Sequence, residues 1–439
     1  MKRVTVIDYS LYSPLLRCGD ANHNGLNEIY TTRTPVSDTL VIFEHQGNNL
    51  YQRINTSTLV YAGVGGFGDG DNDSLMEIEV TGDPFEYVLE SPDRHSFPSR
   101  VAWRTQRVGA GLPWPQCLDL DQDGRREWAL GADGSVVLFE NAADDSYYLA
   151  ANIRPPENAA AGKFCVGDFD CDGHLELAYG GQRHPFGRVC VFEATGRDNE
   201  YALRWEDTTV VMANWWTCTL GDLNGNGWPE FITVGRDSLL EGHMMVYEAY
   251  GDNQYHRILE APCPYWDCPI VAADVDGDGV NEFAMAGGSA TIYKWDGSSY
   301  TPIWVFPDSG VGSMNLYDLN GNGRAEIILA LPDHTSIYED TQGLGHTEHQ
   351  VKLEFNSVKV RPNVSCIAVP IRFLYLPVGA DVQLYSASGC LLRREQQVRK
   401  PTWTWDLRDQ NGRQVPAGTY LAVIRSRNQT QQLKLCVVR

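Results

Sequence analysis

No run of apolar residues in this 439-residue chain reaches the roughly 18 needed to cross a bilayer as a helix. Basic charge is scarce: 35 Lys and Arg stand against 57 Asp and Glu, a net of -22. That balance argues against nucleic acid, which needs basic surface. Zinc spacing is missing too. None of the 11 cysteines forms a CxxC pair, and the one close histidine pair, His346 and His349, has no cysteine nearby. The ten histidines are scattered, no serine sits in a nucleophile elbow, and no glycine-rich phosphate loop opens a helix. No catalytic residue is assigned, and no catalysis is expected of the chain itself. The start, Met1-Lys2-Arg3-Val4-Thr5-Val6-Ile7-Asp8, lacks the apolar stretch of about 7–15 residues that a signal peptide needs. Any export signal is therefore expected outside this sequence.

What the chain does have is one nine-residue pattern, seven times over. It runs Asp20-x-Asn22-x-Asn24-Gly25-x-x-Glu28, Asp69-x-Asp71-x-Asp73-Ser74-x-x-Glu77 and Asp119-x-Asp121-x-Asp123-Gly124-x-x-Glu127. It continues as Asp168-x-Asp170-x-Asp172-Gly173-x-x-Glu176, Asp222-x-Asn224-x-Asn226-Gly227-x-x-Glu230, Asp274-x-Asp276-x-Asp278-Gly279-x-x-Glu282 and Asp318-x-Asn320-x-Asn322-Gly323-x-x-Glu326. The starts lie 49, 50, 49, 54, 52 and 44 residues apart. A period near fifty signals stacked supersecondary units, and seven units of about four strands predict an all-β, seven-bladed β-propeller.

Oxygen-bearing side chains at positions 1, 3 and 5 can turn toward one centre, and calcium takes roughly six to eight such hard ligands. A glycine at position 6 supplies the positive φ of the turn, and Glu at position 9 closes the cage. An EF-hand would place its closing Glu at position 12. Here that position holds Thr31, Val80, Leu130, Tyr179, Thr233, Met285 and Leu329. The residues after each Glu read as strand, so the loops join strands rather than helices. Up to seven Ca2+, one per blade, are expected. Ligands would come from Asp20, Asn22, Asn24 and Glu28 in the first loop and from the same four positions in the other six. The side chains at those positions carry 22 negative charges, which would repel one another without metal. The Asn-bearing first, fifth and seventh loops should bind more weakly, and Ser74 should be the strained substitute for glycine. A third strand often ends aliphatic–aromatic–Glu, as at Phe43-Glu44, Phe139-Glu140, Phe192-Glu193 and Tyr247-Glu248. The segment Arg3–Ile7 has no blade of its own and is expected to pair as the outer strand of the seventh, which would leave no free edge.

On these residues the chain resembles the FG-GAP (VCBS) repeats of integrin-α-like propellers, in which a calcium loop joins the first two strands of each blade. The resemblance spans residues 1 to about 345 and implies a propeller over residues 1–347. The family includes adhesion receptors, lectins and polysaccharide-active enzymes. Glu at position 9 is a departure, since Asp is commoner there.

Composition shifts after about residue 345. From Lys352 onward there are 14 Lys and Arg against 5 Asp and Glu, a net of +9, which leaves -31 on the rest. Alternating stretches such as Val382-Gln383-Leu384-Tyr385 and Tyr420-Leu421-Ala422-Val423-Ile424, with turns at Ser388-Gly389 and Asn411-Gly412, predict a small β-sandwich over 348–439. Tyr385-x-x-x-Gly389 and Trp405-Asp406-x-x-Asp409-x-Asn411-Gly412-x-x-Val415-Pro416-x-Gly418-x-Tyr420 resemble the immunoglobulin-like domains of type IX secretion sorting tails and hook-capping proteins. That resemblance implies export and surface attachment or release. The ending Val437-Val438-Arg439 lacks the Lys-rich terminus common among sorting tails.

Aromatic residues recur before the first strand of several blades: Tyr61, Trp114, Trp215 with Trp216, Tyr265 with Trp266, and Trp304 with Phe306. They read either as inter-blade packing or as a ligand platform for sugar rings or protein loops. Trp114, Trp215, Trp216, Tyr265 and Trp266 are the candidate ligand residues. The expected function is a secreted or cell-surface calcium-binding adhesion module for glycan or protein ligands. The alternatives are a structural subunit of an extracellular assembly that self-associates, and a lyase-like polysaccharide enzyme.

Overall fold

The computed structural model describes residues 1–11, 16–32, 40–55, 63–82, 84–106, 116–132, 134–155, 160–182, 187–208, 213–236, 242–263, 270–287, 289–306, 310–341, 359–361, 364–366, 370–374, 376, 380–387, 389–398, 403–425 and 430–438. The chain divides into two compact units, Met1–Leu259 with Cys263–Val351, and Glu260–Pro262 with Lys352–Arg439. Both are all-β, with no helix among the described residues. None is therefore long and apolar enough to cross a membrane.

Among the described residues the first unit holds seven four-stranded antiparallel sheets. The first runs Arg17–Gly19, Glu28–Thr31, Val41–His45 and Tyr51–Asn55, each strand beside the next in sequence. The third repeats this order with Gln116–Leu118, Glu127–Ala132, Ser135–Ala143 and Ser146–Ile153. The seventh takes three strands from Ser313–Tyr317, Glu326–Ala330 and Thr335–Glu339, and its fourth from Lys2–Ile7. Lys2 lies opposite Glu339 and Ile7 opposite Thr335. This pairing covers the edge that Thr335–Glu339 would otherwise expose.

Burial follows position in the sheet. The second strand is fully buried on both faces in Glu77–Thr81, Glu282–Ala286 and Glu326–Ala330. The fourth strand alternates exposed and half-buried residues, as in Arg100–Gln106. Second strands therefore lie between neighbouring sheets while fourth strands face solvent. Ile42 and Ile78 share one core between the first and second sheets, and Leu138 and Leu177 share one between the third and fourth. Ile29, Phe43 and Ile328 do the same between the first and seventh, together with Ile7. Each such side chain contributes about 1.5–3 kcal/mol by burial. Trp128, fully buried in the second strand of the third sheet, is the largest of them. Its replacement by Ala would cost about 3–5 kcal/mol.

The second unit holds a three-stranded sheet (Lys359–Arg361, Ile371–Leu374, Trp403–Trp405) and a five-stranded sheet that includes Ala380–Ser386, Gly418–Arg425 and Thr430–Val438. One core of Ile371, Phe373, Trp405, Tyr420 and Leu435 joins them. The Trp405 indole N–H donates to the Arg408 carbonyl at 2.9 Å, and the Tyr420 hydroxyl donates to the Pro416 carbonyl. Both bonds satisfy polar tips of aromatic rings that the core buries.

Candidate metal loops

Each of the seven nine-residue patterns forms the turn between the first and second strands of a sheet, and the closing Glu is the first residue of the second strand every time. One hydrogen-bond frame recurs in all seven. The position-6 N–H donates to the position-1 carboxylate at 2.7–3.1 Å. The position-7 N–H donates to the position-5 side-chain oxygen at 2.7–3.0 Å. The position-2 N–H donates to the closing Glu at 2.5–2.9 Å. Positions 4 and 6 both adopt positive φ in every loop. Ser74 does so at 75°, where a side chain is strained.

All seven closing glutamates are fully buried. Burial is the main cause that raises their carboxyl groups, with neighbouring loop acids adding to it: to about 7 at Glu28, Glu282 and Glu326, about 8 at Glu77, Glu127 and Glu230, and about 9 at Glu176. Hydrogen bonds from the loop backbone oppose the shift without cancelling it.

Around this shared frame the loops differ in what meets the acids. In the third loop, carboxylate oxygens of Asp119, Asp121, Asp123 and Glu127 lie within 4.8 Å of one another, and in the fourth those of Asp168, Asp170, Asp172 and Glu176 do the same. The second gathers Asp69, Asp71 and Glu77. Buried oxygens without a hydrogen-bond partner remain on Asp69, Asp119, Glu127, Asp170 and Glu176. Tight, hard, partly orphaned oxygen sets fit a divalent cation such as Ca2+.

A turn from the next sheet completes each of these three loops. The backbone N–H of Asp145 donates to Asp71 at 2.9 Å, that of Asn199 to Asp121 at 2.7 Å and that of Asn253 to Asp170 at 2.5 Å. All three donors have φ near 55°, in the turn between third and fourth strands. The Tyr147 hydroxyl donates to Glu77 at 3.0 Å from the same neighbouring sheet, and Tyr300 donates likewise to Glu230 at 3.1 Å.

In the first, fifth and seventh loops, Asn amides supply internal donors. Asn22 and Asn24 donate to Glu44 at 3.2 and 2.8 Å, Asn224 and Asn226 to Glu248 at 2.7 and 2.6 Å, and Asn322 to Glu339 at 2.6 Å. These sets have less charge to offer a cation. Glu28 still keeps one orphaned buried oxygen. The sixth loop does not fit a metal ion. Lys294 Nζ lies 2.6 Å from Asp276, 2.8 Å from Asp278 and 2.7 Å from Glu282.

Sequence reasoning singled out the four loop positions but gave no role to the third-strand glutamate. Cross-strand register places it beside the closing Glu: Glu28 opposite Glu44, Glu77 opposite Glu90, Glu127 opposite Glu140, Glu176 opposite Glu193, and Glu230 opposite Glu248. The recurring aromatic–Glu ending was the signal that could have found it. Glu140 and Glu193 accept from the Asn199 and Asn253 amides of the next sheet, so in the third and fourth sheets this residue ties the loop to its neighbour.

The proposed aromatic platform is only partly visible. Tyr61, Trp114, Tyr265 and Trp266 lie outside the described residues, as do the side chains of Trp215 and Trp216. Trp304 and Phe306 are described, and they pack on Tyr338 of the next sheet with ring centroids 5.2 and 5.4 Å apart.

Residues 119–179, which span the third and fourth loops, match the FG-GAP-like repeat family. No curated protein matches the chain. Among solved structures it is similar to the N-terminal part of BBS1 in complex with ARL6 (11% identity, TM-score 0.53, covering 78% of this chain and 100% of that one). It is also similar to an Agrocybe aegerita lectin that recognises non-reducing terminal N-acetylglucosamine (17% identity, TM-score 0.50, covering 70% and 85%). The PorZ surface component of the type IX secretion system of Porphyromonas gingivalis aligns over 97% of this chain at 12% identity and a TM-score of 0.42. This chain spans 59% of the length of PorZ. The fold class these findings define is an all-β, propeller-like protein with FG-GAP-like repeats.

Proposed function

We infer that this chain is a calcium-stiffened binding module of the cell exterior. In this reading a seven-bladed propeller holds Ca2+ in its loops, and an immunoglobulin-like β-sandwich follows as the export or sorting domain. The observation that carries it is the convergence of four carboxylates in each of the third and fourth loops, with buried oxygens of Glu127 and Glu176 left unpaired. Like charges held a few ångströms apart repel strongly in a site of low effective dielectric. A divalent cation offsets that repulsion and uses the orphaned oxygens.

A rigid scaffold that projects ordered loops favours binding. The Agrocybe lectin, similar to this chain in fold, binds a sugar, and glycan or protein is the ligand class taken here. The candidate contact residues remain Trp114, Trp215, Trp216, Tyr265 and Trp266. A thermal melt in calcium and in chelator, followed by a glycan array in calcium, tests the reading. Unchanged melting in chelator would sink the metal half. An array that stays blank in calcium, together with no binding to extracellular proteins, would sink the binding half.

A second reading draws on charge. The net of -31 before Lys352 and +9 after it favours attraction between the first unit of one copy and the second unit of another. Growth of particle size at low salt would support self-association.

A further inference from the structure

We propose that the sixth loop carries its own cation, the ammonium group of Lys294, and takes no calcium, so that the chain binds at most six ions. The limit of six rests on the calcium reading above; the lysine clasp stands on geometry alone.

An ammonium group has three N–H donors. Each of the three contacts of Lys294 Nζ is to a different carboxylate, and these belong to loop positions 3, 5 and 9. They are the positions whose oxygens would otherwise surround a metal ion. The separations of 2.6–2.8 Å are those of charge-assisted hydrogen bonds. Nothing is left over on the nitrogen, and the side chain is 23% exposed. A calcium ion could enter only by expelling the lysine from all three bonds.

The register explains why this lysine reaches the loop. Phe283 lies opposite Tyr293, so Glu282 and Lys294 are the next pair along the ladder. In five other sheets the same pair is Glu with Glu. In the seventh, Ile327 lies opposite Tyr338, so Glu326 and Glu339 follow in the same way. The sixth sheet alone returns a cation to its loop where the other six return an acid.

The neighbouring sheet supplies a reason for the exchange. The second, third and fourth loops are each completed by the turn between the third and fourth strands of the next sheet. For the sixth loop that next sheet is the seventh. Its third and fourth strands are Thr335–Glu339 and Lys2–Ile7, which no hairpin turn joins. The loop beside that seam lacks the turn that completes other loops, and Lys294 fills its centre from within its own sheet. The result is a loop that carries a counter-charge of its own at any calcium level, next to the sheet in which Lys2–Ile7 pairs with Thr335–Glu339.

Two measurements on the full-length chain test this. The first is the rate of amine acylation at Lys294, read by peptide mass spectrometry in chelator and in saturating calcium, with exposed Lys434 as reference. Labelling at least tenfold slower than at Lys434 in both conditions is expected. Equal labelling in chelator overturns the clasp, and a tenfold acceleration by calcium shows that the ion displaces the lysine. The second is the number of bound ions by native mass spectrometry for the wild type, Lys294→Glu and Lys294→Gln. The wild type should hold no more than six, and Lys294→Glu, which restores the acid found in the other sheets, should hold one more. Lys294→Gln provides the count if Lys294→Glu folds poorly. Seven ions in the wild type, or no gain in either variant, overturns the proposal. If no form binds calcium, the calcium reading itself falls, and the acylation rates still decide the clasp.

Discussion

The third and sixth loops have the same three-bond backbone frame, the same four acids and the same left-handed positions. In the third loop the cross-strand residue is Glu140, and the loop acids converge with buried oxygens unpaired. In the sixth it is Lys294, and the acids at positions 3, 5 and 9 are bridged. The backbone frame therefore does not decide whether a loop needs a metal. In the calcium reading proposed above, one side chain on the third strand does, through register. Of two loops that look equally acidic in sequence, the third should respond to calcium and the sixth should not.

The largest expected effect is that of calcium itself. At a concentration a hundredfold above Kd, each filled site adds about 2.7 kcal/mol. The second, third and fourth loops together would add about 8 kcal/mol, a rise in Tm on the order of 10 °C or more for a unit of this size. Calorimetry in calcium and in chelator checks this, and a shift below about 2 °C would erase the distinction between the loops.

Next comes a pair of substitutions of opposite sign. In chelator, Lys294→Met should lower stability by roughly 3 kcal/mol, because buried Asp276 and Glu282, with exposed Asp278, lose their counter-charge. In the same buffer Asp123→Asn should raise stability by about 1 kcal/mol by relieving repulsion, while removing part of the calcium response. Denaturant titrations of both variants with and without calcium read the two signs. Destabilisation of the same size by both in chelator would break the comparison.

The pH response in chelator follows from the buried glutamates. Their folded-state values are raised, to about 9 at Glu176 and about 8 at Glu127, with burial as the main cause. The native state then binds more protons than the unfolded chain between the ordinary carboxylate range and about pH 9. Stability from these groups is full at low pH and is lost as pH rises through that window. Melts of the calcium-free chain from pH 5 to pH 9 should show falling Tm. Calcium should flatten the trend, because a bound ion holds the carboxylates ionised.

The smallest effect concerns the amide-bridged loops. Asn226→Asp in the fifth loop should strengthen calcium binding about tenfold, or about 1.4 kcal/mol, and weaken the chain in chelator. Calorimetric titration against the wild type measures it. No change in affinity would mean that loop charge is not what separates the Asn loops from the Asp loops.

Much of this was legible in the sequence because each loop is local. Nine consecutive residues hold the frame, so spacing alone exposed the Asp, the Asn, the turn glycine and the closing Glu. The strand character of Ile29-Tyr30 or Ile327-Ile328-Leu329 was equally plain from side-chain type. The role of Glu140 and the intrusion of Lys294 were not, because both depend on antiparallel register 12 or 13 residues downstream. The turn contacts of Asn199 and Asn253 are further still, reaching loops 78 and 83 residues earlier. Trp304 and Phe306 show the same limit: spacing marked them as recurrent, but their packing on Tyr338 comes from the neighbouring sheet.

The strand Lys2–Ile7 finds its partner only at Thr335–Glu339. During synthesis this strand must wait for that partner until more than three hundred further residues have followed it. Its six residues are polar at the start and no more than half-buried before Ile7, which suits a segment exposed for that long. Closure cannot precede the synthesis of Thr335–Glu339, and it links residues more than three hundred positions apart in one ladder. Loop closure over such a distance is slow. Once made, it ties the loss of either end to the opening of the whole, and a protease trimming the first seven residues would unlatch a sheet built from the far end of the unit.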